Sequence, residues 1–161
     1  MDLKKIIISK TWQGIAVRAL CVVVFLIAIL YPNFEPIYVQ GNSMEPTFDN
    51  GQICILYTTA YRYNEPCIGD VVILKDREYP GGRYIKRLIA GPGDYIKINN
   101  EGIFVNGVKL SLEYGAPSHQ SSFIDETVPP YHFFYIGDNR LLSTFGSVHR
   151  DKIQGKIILY D

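Results

Sequence analysis

The chain is poor in the residues that hold metals. Its 161 positions include three cysteines and three histidines, and neither set has the spacing of a ligand site. No metal and no cofactor is therefore expected. A glycine-rich phosphate cradle is also missing, since Gly81-Gly82 reads as a hairpin turn. Formal net charge is zero, which leaves no basic field to draw in a nucleic acid. There is no internal repeat, no low-complexity tract and, beyond residue 36, no convincing amphipathic helix.

Even the apolar run is short. "ALCVVVFLIAILY", Ala19–Tyr31, has thirteen uncharged residues, against about 20 for a full membrane span. A cleaved signal peptide needs a small-x-small site, and "YPNFEPIYV" offers none. A buried core helix would show polar positions on one face, and this run has none. An uncleaved anchor fits if Arg18 snorkels and the span begins near Gly14, with Trp12 at the interface. Residues 1–18 carry Lys4, Lys5, Lys10 and Arg18 against Asp2 alone, and the remainder holds 12 basic and 15 acidic residues. That asymmetry predicts a cytoplasmic basic segment at 1–13, a transmembrane anchor at 14–31 and an extracytoplasmic domain at 32–161 in the cell membrane. On that outer side a Cys54–Cys67 disulfide is permitted, and two small buried hydrophobes are the alternative.

Past residue 36 the pattern is that of β-structure. Residues 52–57, 70–75, 83–90, 94–99, 102–110, 132–138 and 155–160 are short runs rich in Ile, Val, Tyr and Phe. "EPIYVQGNS", 35–43, alternates enough to be another strand. Asn106-Gly107, Pro80-Gly81-Gly82 and Pro92-Gly93-Asp94 punctuate them as turns, and polar, proline-containing 113–130 reads as a long surface loop. The expected fold is mostly β: a small antiparallel all-β body with one N-terminal transmembrane helix.

The candidate nucleophile is Ser43 in "GNSMEPTF". A serine hydroxyl is weak until a base takes its proton. His119, His132 and His149 are the three histidine candidates, and none has a suggestive neighbour pattern. A lysine serves if burial removes its charge. Lowering its pKa from about 10.4 to about 8 takes roughly 3–4 kcal/mol of desolvation. In "RYIKRLIA" strand alternation puts Tyr84, Lys86 and Leu88 on one face and Ile85, Arg87 and Ile89 on the other. Lys86 thus sits between two large, mostly apolar side chains. Alternation alone does not separate this from a strand lysine snorkelling at an edge.

Four stretches follow the apolar run in order: "GNSMEPTF" (41–48), "GDVV" (69–72), "RYIKRLIAGPGD" (83–94) and "VPPYHFFYIGDNRLLS" (128–143). Together they closely resemble the type I signal peptidases, the bacterial Ser–Lys leader peptidases. The resemblance implies Ser43 as nucleophile and Lys86 as general base, with Met44 packed beneath the nucleophile. It implies an oxyanion donor at the Ser43 N–H and a second from the position of Gly41, where the family often has a serine hydroxyl. A lost donor costs about 2.7–4 kcal/mol, so a backbone group or water is expected to replace it. Ser143 matches the serine that orients the base. Arg87 and Asp138 match a bracing charged pair, and Gly137, Asn139 and Arg140 complete the turn "GDNR". The family usually continues from that serine as Ser-x-Asp-Ser-Arg. Here "STFGSVHRDKIQGK", 143–156, lacks the Asp-Ser-Arg step, so a second bracing pair is missing, with Arg150 and Asp151 as possible replacements.

The resemblance also implies substrate. The partners would be the signal peptides of exported preproteins, met at the membrane lipid surface, with Ile37, Tyr38 and Val39 on one wall of the groove and Tyr84 and Ile85 on the other. Tyr57, Tyr61 and Tyr63 are candidates to dip into the interface. Two other functions stay open: a dedicated peptidase for another secreted substrate, such as a pilin, and a membrane-tethered β-domain that binds peptides without cutting them.

Overall fold

The computed structural model describes residues 3–30, 33–76, 82–110 and 123–160. The chain divides into two compact units, Met1–Glu35 and Pro36–Asp161. The first is built on one helix, α1 (Leu3–Leu30). Among the described residues no helix is long and apolar enough to cross a membrane. On it Ile15, Val17, Leu20, Val22, Val23, Val24, Phe25, Leu26 and Ile27 are all exposed large hydrophobics.

The second unit is β-structure, as its short β-branched and aromatic runs predict. Its strands are β1 (Phe34–Tyr38), β2 (Ile53–Tyr57), β3 (Val71–Lys75), β4 (Arg83–Ala90), β5 (Tyr95–Asn99), β6 (Gly102–Val105), β7 (Val108–Lys109), β8 (Ile124–Thr127), β9 (His132–Ile136), β10 (Phe145–His149) and β11 (Ile153–Tyr160). They form a seven-stranded sheet, ordered β1-β2-β11-β3-β4-β9-β10, and a four-stranded sheet, ordered β7-β6-β5-β8. The pairs β2–β11, β11–β3, β3–β4, β4–β9 and β9–β10 run antiparallel. Asn106 and Gly107 both take positive φ, 52° and 79°, which is the turn their sequence predicts between β6 and β7.

One expectation needs correction, and two features add to the sequence reading. The loop predicted over 113–130 contains β8, which pairs with β5; its polar sequence hides it because an edge strand buries little. Residues 113–122 of that loop, with His119, lie outside the described residues, as do 77–81. The strand β10 carries Gly146 and Ser147 and went unpredicted; it forms by pairing residue for residue with β9. Cys54 is buried, Cys67 is exposed, and both thiols are free, so the permitted disulfide is not formed.

The seven-stranded sheet positions the site through two local features. First, β3 pairs with β4 from Arg83 to Arg87, with Val72 opposite Lys86, and β9 pairs with it from Arg87, opposite Ile136, to Ala90. Second, β9 is followed by Gly137, against which two segments pack. A Cβ there would fall 2.0 Å from Ser143 Oγ and 2.3 Å from the Ser43 carbonyl oxygen. Gly137→Ala should therefore push both segments apart. The expected cost is about 1–3 kcal/mol, read as a lower urea midpoint at unchanged m-value; a midpoint equal to the parent's would show that the turn can open without cost.

Candidate active site

The nucleophile candidate rides on a turn held by its apolar members. Gly41 enters it with φ +87° and gives its N–H to Asn50 Oδ1 at 2.9 Å. Met44 and Phe48 are fully buried in the cluster with Val71, Ile73 and Ile85, and the Phe48 N–H closes the turn on the Met44 carbonyl at 3.0 Å. Met44, the chain neighbour of Ser43, is thus held in the core. The Ser43 carbonyl accepts from the Asn139 N–H at 3.0 Å. Among the described residues the Ser43 N–H has no acceptor, so it is free for an incoming oxyanion. The Gly41 N–H is not, because Asn50 occupies it.

The structure brings Lys86 Nζ to 2.8 Å from Ser43 Oγ. Alternation along β4 is as predicted: Tyr84 and Leu88 flank Lys86 in a cluster with Val72, Leu74 and Tyr135, while Ile85 enters the opposite core. Lys86 is 3% exposed. Its ammonium lies 5.8 Å from the centre of the Tyr84 ring, and the Tyr84 hydroxyl meets that of Tyr135 at 3.3 Å. Burial pushes the Lys86 pKa down from 10.5 to about 8, with the charge of Asp138 acting in the opposite sense. Water exclusion thus outweighs a nearby carboxylate, and a sizeable fraction of the amine is neutral near pH 8. His132 and His149 stack edge-on against each other, 5.0 Å apart, on neighbouring strands; they pair at the end of β9 remote from Gly137, away from Ser43.

Beside the dyad lies a charged cluster. Asp138 is fully buried and accepts from Arg87 twice, Nε to Oδ1 at 2.9 Å and Nη2 to Oδ2 at 2.6 Å. Arg87 also donates to the Gly69 carbonyl at 2.9 Å. The hydroxyl of Thr47, a residue to which the sequence gives no role, donates to Asp138 Oδ2 at 2.6 Å. Asn139 adds a side-chain contact to Glu45 Oε2 at 3.4 Å. Arg140 is buried as well, and among the described residues its Nε and Nη2 have no hydrogen-bond partner. Burial lowers its pKa, opposed by Asp138 and assisted by Arg87.

Two expectations around this cluster change. Ser143 is adjacent to Gly137 and the Ser43 carbonyl, yet its hydroxyl donates to the Thr144 carbonyl at 3.0 Å, not to Lys86. Arg150 does not replace the missing bracing pair. It binds Glu65 at 2.8 Å and the Tyr61 carbonyl at 2.9 Å, which pins the 61–65 loop instead. In that loop Tyr61 turns inward to Asp70 at 2.7 Å, while Tyr63 is exposed.

Ile37, Tyr38, Val39, Tyr84 and Ile85 line one groove of about 550 Å³ with Gly41, Ser43 and Met44. The groove therefore reaches Ser43 and runs beside Arg83, Tyr84 and Ile85 of β4. Among the described residues no cluster of three or more His, Cys, Asp or Glu could hold a metal ion.

Such a geometry, a serine against a buried lysine beside a groove, can be set beside known proteins. Residues 10–160 match the family model described as "Signal peptidase, peptidase S26". A signal peptidase I of Bacillus licheniformis is 33% identical over 117 residues, covering 66% of this chain and 62% of that protein. Signal peptidase I P of Bacillus subtilis subsp. natto is 34% identical over 152 residues, 83% of this chain and 81% of its own. A signal peptidase I of Bacillus caldolyticus is 31% identical over 157 residues, 86% and 84% of the two chains. With the family model matched along nearly its whole length, the chain belongs to the signal peptidase S26 family.

Proposed function

We propose that this protein is a membrane-anchored serine endopeptidase that removes N-terminal signal peptides from exported preproteins. The observation that carries the proposal is the 2.8 Å approach of Ser43 Oγ to the buried Lys86 Nζ. In the neutral state the amine takes the Ser43 proton as Oγ attacks the scissile carbonyl. The Ser43 N–H donates to the oxyanion. The ammonium so formed gives its proton to the leaving amine, which completes an acyl-enzyme on Ser43. A water deprotonated by the same amine then releases the signal peptide. The substrate would lie extended in the groove between the Ile37–Val39 and Tyr84–Ile85 walls, with small side chains directed at Ile37, Val39 and Ile85. Arg87 and Asp138 would hold the base strand and the 137–140 turn in register. Ser143 would need a rotation about its own side chain to reach Lys86, which substrate binding could supply.

The anchor would be residues 14–31, with 1–13 cytoplasmic and 32–161 outside. It is supported by the run of exposed apolar side chains around α1, since a helix apolar all round must be buried in protein or lipid. Only 11 residues separate Tyr31 from Ser43, a tether of at most about 40 Å. The nucleophile would then work close to the outer surface, where signal peptides emerge.

Three outcomes are expected. Purified full-length protein in detergent should cut a preprotein bearing an Ala-x-Ala site at that site, and Ser43→Ala or Lys86→Ala should each lose at least about 10³-fold in kcat/KM; a parent as inert as both variants would favour a peptide-binding domain, and cleavage of a prepilin in its place would favour a dedicated processing enzyme. Because the neutral amine is the working form, kcat/KM should rise about tenfold per pH unit below a midpoint near 8 and then level off; a rate flat from pH 6 to 10 would exclude Lys86 as the base. Membranes from expressing cells washed with alkaline carbonate should retain the chain; release into the wash would remove the anchor.

A further inference from the structure

The nucleophile turn is fastened at both ends to one segment. At Ser43 the carbonyl accepts from the Asn139 N–H at 3.0 Å. Four residues on, the Thr47 hydroxyl donates to Asp138 Oδ2 at 2.6 Å and accepts from Arg87 Nη2 at 3.4 Å. Asp138 and Asn139 are neighbours, and so are Lys86 and Arg87. The Thr47 hydroxyl therefore joins three elements: the turn that carries the nucleophile, the strand that carries the base, and the turn after β9. Its bond to Asp138 is short and charge-assisted, a class roughly twice as strong as neutral hydrogen bonds. Asp138 is fully buried, so a lost donor cannot readily be replaced by bulk water.

We propose that Thr47 is a positioning residue for the Ser43–Lys86 pair, acting through the Arg87–Asp138 ion pair to fix the distance between nucleophile and base. The proposal rests on the endopeptidase reading of that pair. Without the hydroxyl the turn keeps its apolar anchors, Met44 and Phe48, and its Asn139 bond. It loses the fastening at its far end and can pivot about Met44. A displacement of about 1 Å at a reacting atom can cost about 10²-fold in rate. The methyl group of Thr47 has no part in this, so serine should serve and valine should not.

The test compares the full-length parent with Thr47→Val and Thr47→Ser on an Ala-x-Ala preprotein. Thr47→Val should lower kcat by about 10–100-fold with KM held within about twofold, and Thr47→Ser should return to within about threefold of the parent. Amide exchange of the 137–142 segment should quicken in Thr47→Val and not in Thr47→Ser, because the Asn139 N–H bond to Ser43 then closes on a looser turn. A lower Tm in Thr47→Val with kcat and exchange at parental values would overturn the proposal, as would a serine variant as impaired as valine. If the parent itself cuts nothing, the endopeptidase reading has failed, and exchange alone still decides whether Thr47 fastens the turn.

Discussion

The site turns on how water is kept from one amine. The field of Asp138 favours the charged state of Lys86, and burial beside Tyr84, Leu88 and Val72 outweighs it. A shift from 10.5 to about 8 corresponds to roughly 3 kcal/mol against the ammonium. That cost falls on the fold, and in the proposed mechanism it returns as a base that is free near neutral pH. A carboxylate placed against the amine itself would cancel the effect. Asp138 is instead tied by both oxygens to Arg87 and by one to Thr47, which limits its pull on Lys86.

Most of the polar structure near the dyad serves to hold three chain segments in register. The β3–β4 pairing fixes the base. Met44 and Phe48 sink the nucleophile turn into the core. Gly137 lets the turn after β9 come within contact of both Ser43 and Ser143. The Arg87–Asp138 pair and the Asn139 N–H then lock these segments together. Arg140 stands apart. In a chain that lacks the Asp-Ser-Arg step, its guanidinium is buried with two nitrogens unpartnered among the described residues, and Arg150 is engaged elsewhere with Glu65.

The sequence already carried much of this. Runs of β-branched and aromatic residues located most of the seven-stranded sheet, and period-two alternation put Lys86 on an apolar face. What alternation left open was whether Lys86 met a partner or solvent, since its partner Ser43 lies 43 residues away in the chain. The strands β8 and β10 escaped notice because Asp125, Glu126, Gly146 and Ser147 weaken the local signal, and only pairing with β5 and β9 makes them strands. The Thr47–Asp138 bond spans 91 residues, so no local pattern could reveal it. Ser143 was assigned by resemblance to the base. Its position beside Gly137 was legible in that way, whereas the direction of its hydroxyl is a matter of rotamer, set here by the Thr144 carbonyl.

All of the proposed chemistry requires that the Lys86 amine lose its proton far more readily than a lysine in water. The direct measurement is an NMR titration of the Lys86 side chain in the full-length protein, assigned against Lys86→Ala and followed through the Nζ or Cε resonance. A midpoint near 8 is predicted. A midpoint near 10.5, that of a solvated lysine, would contradict the burial of the amine and with it the dyad.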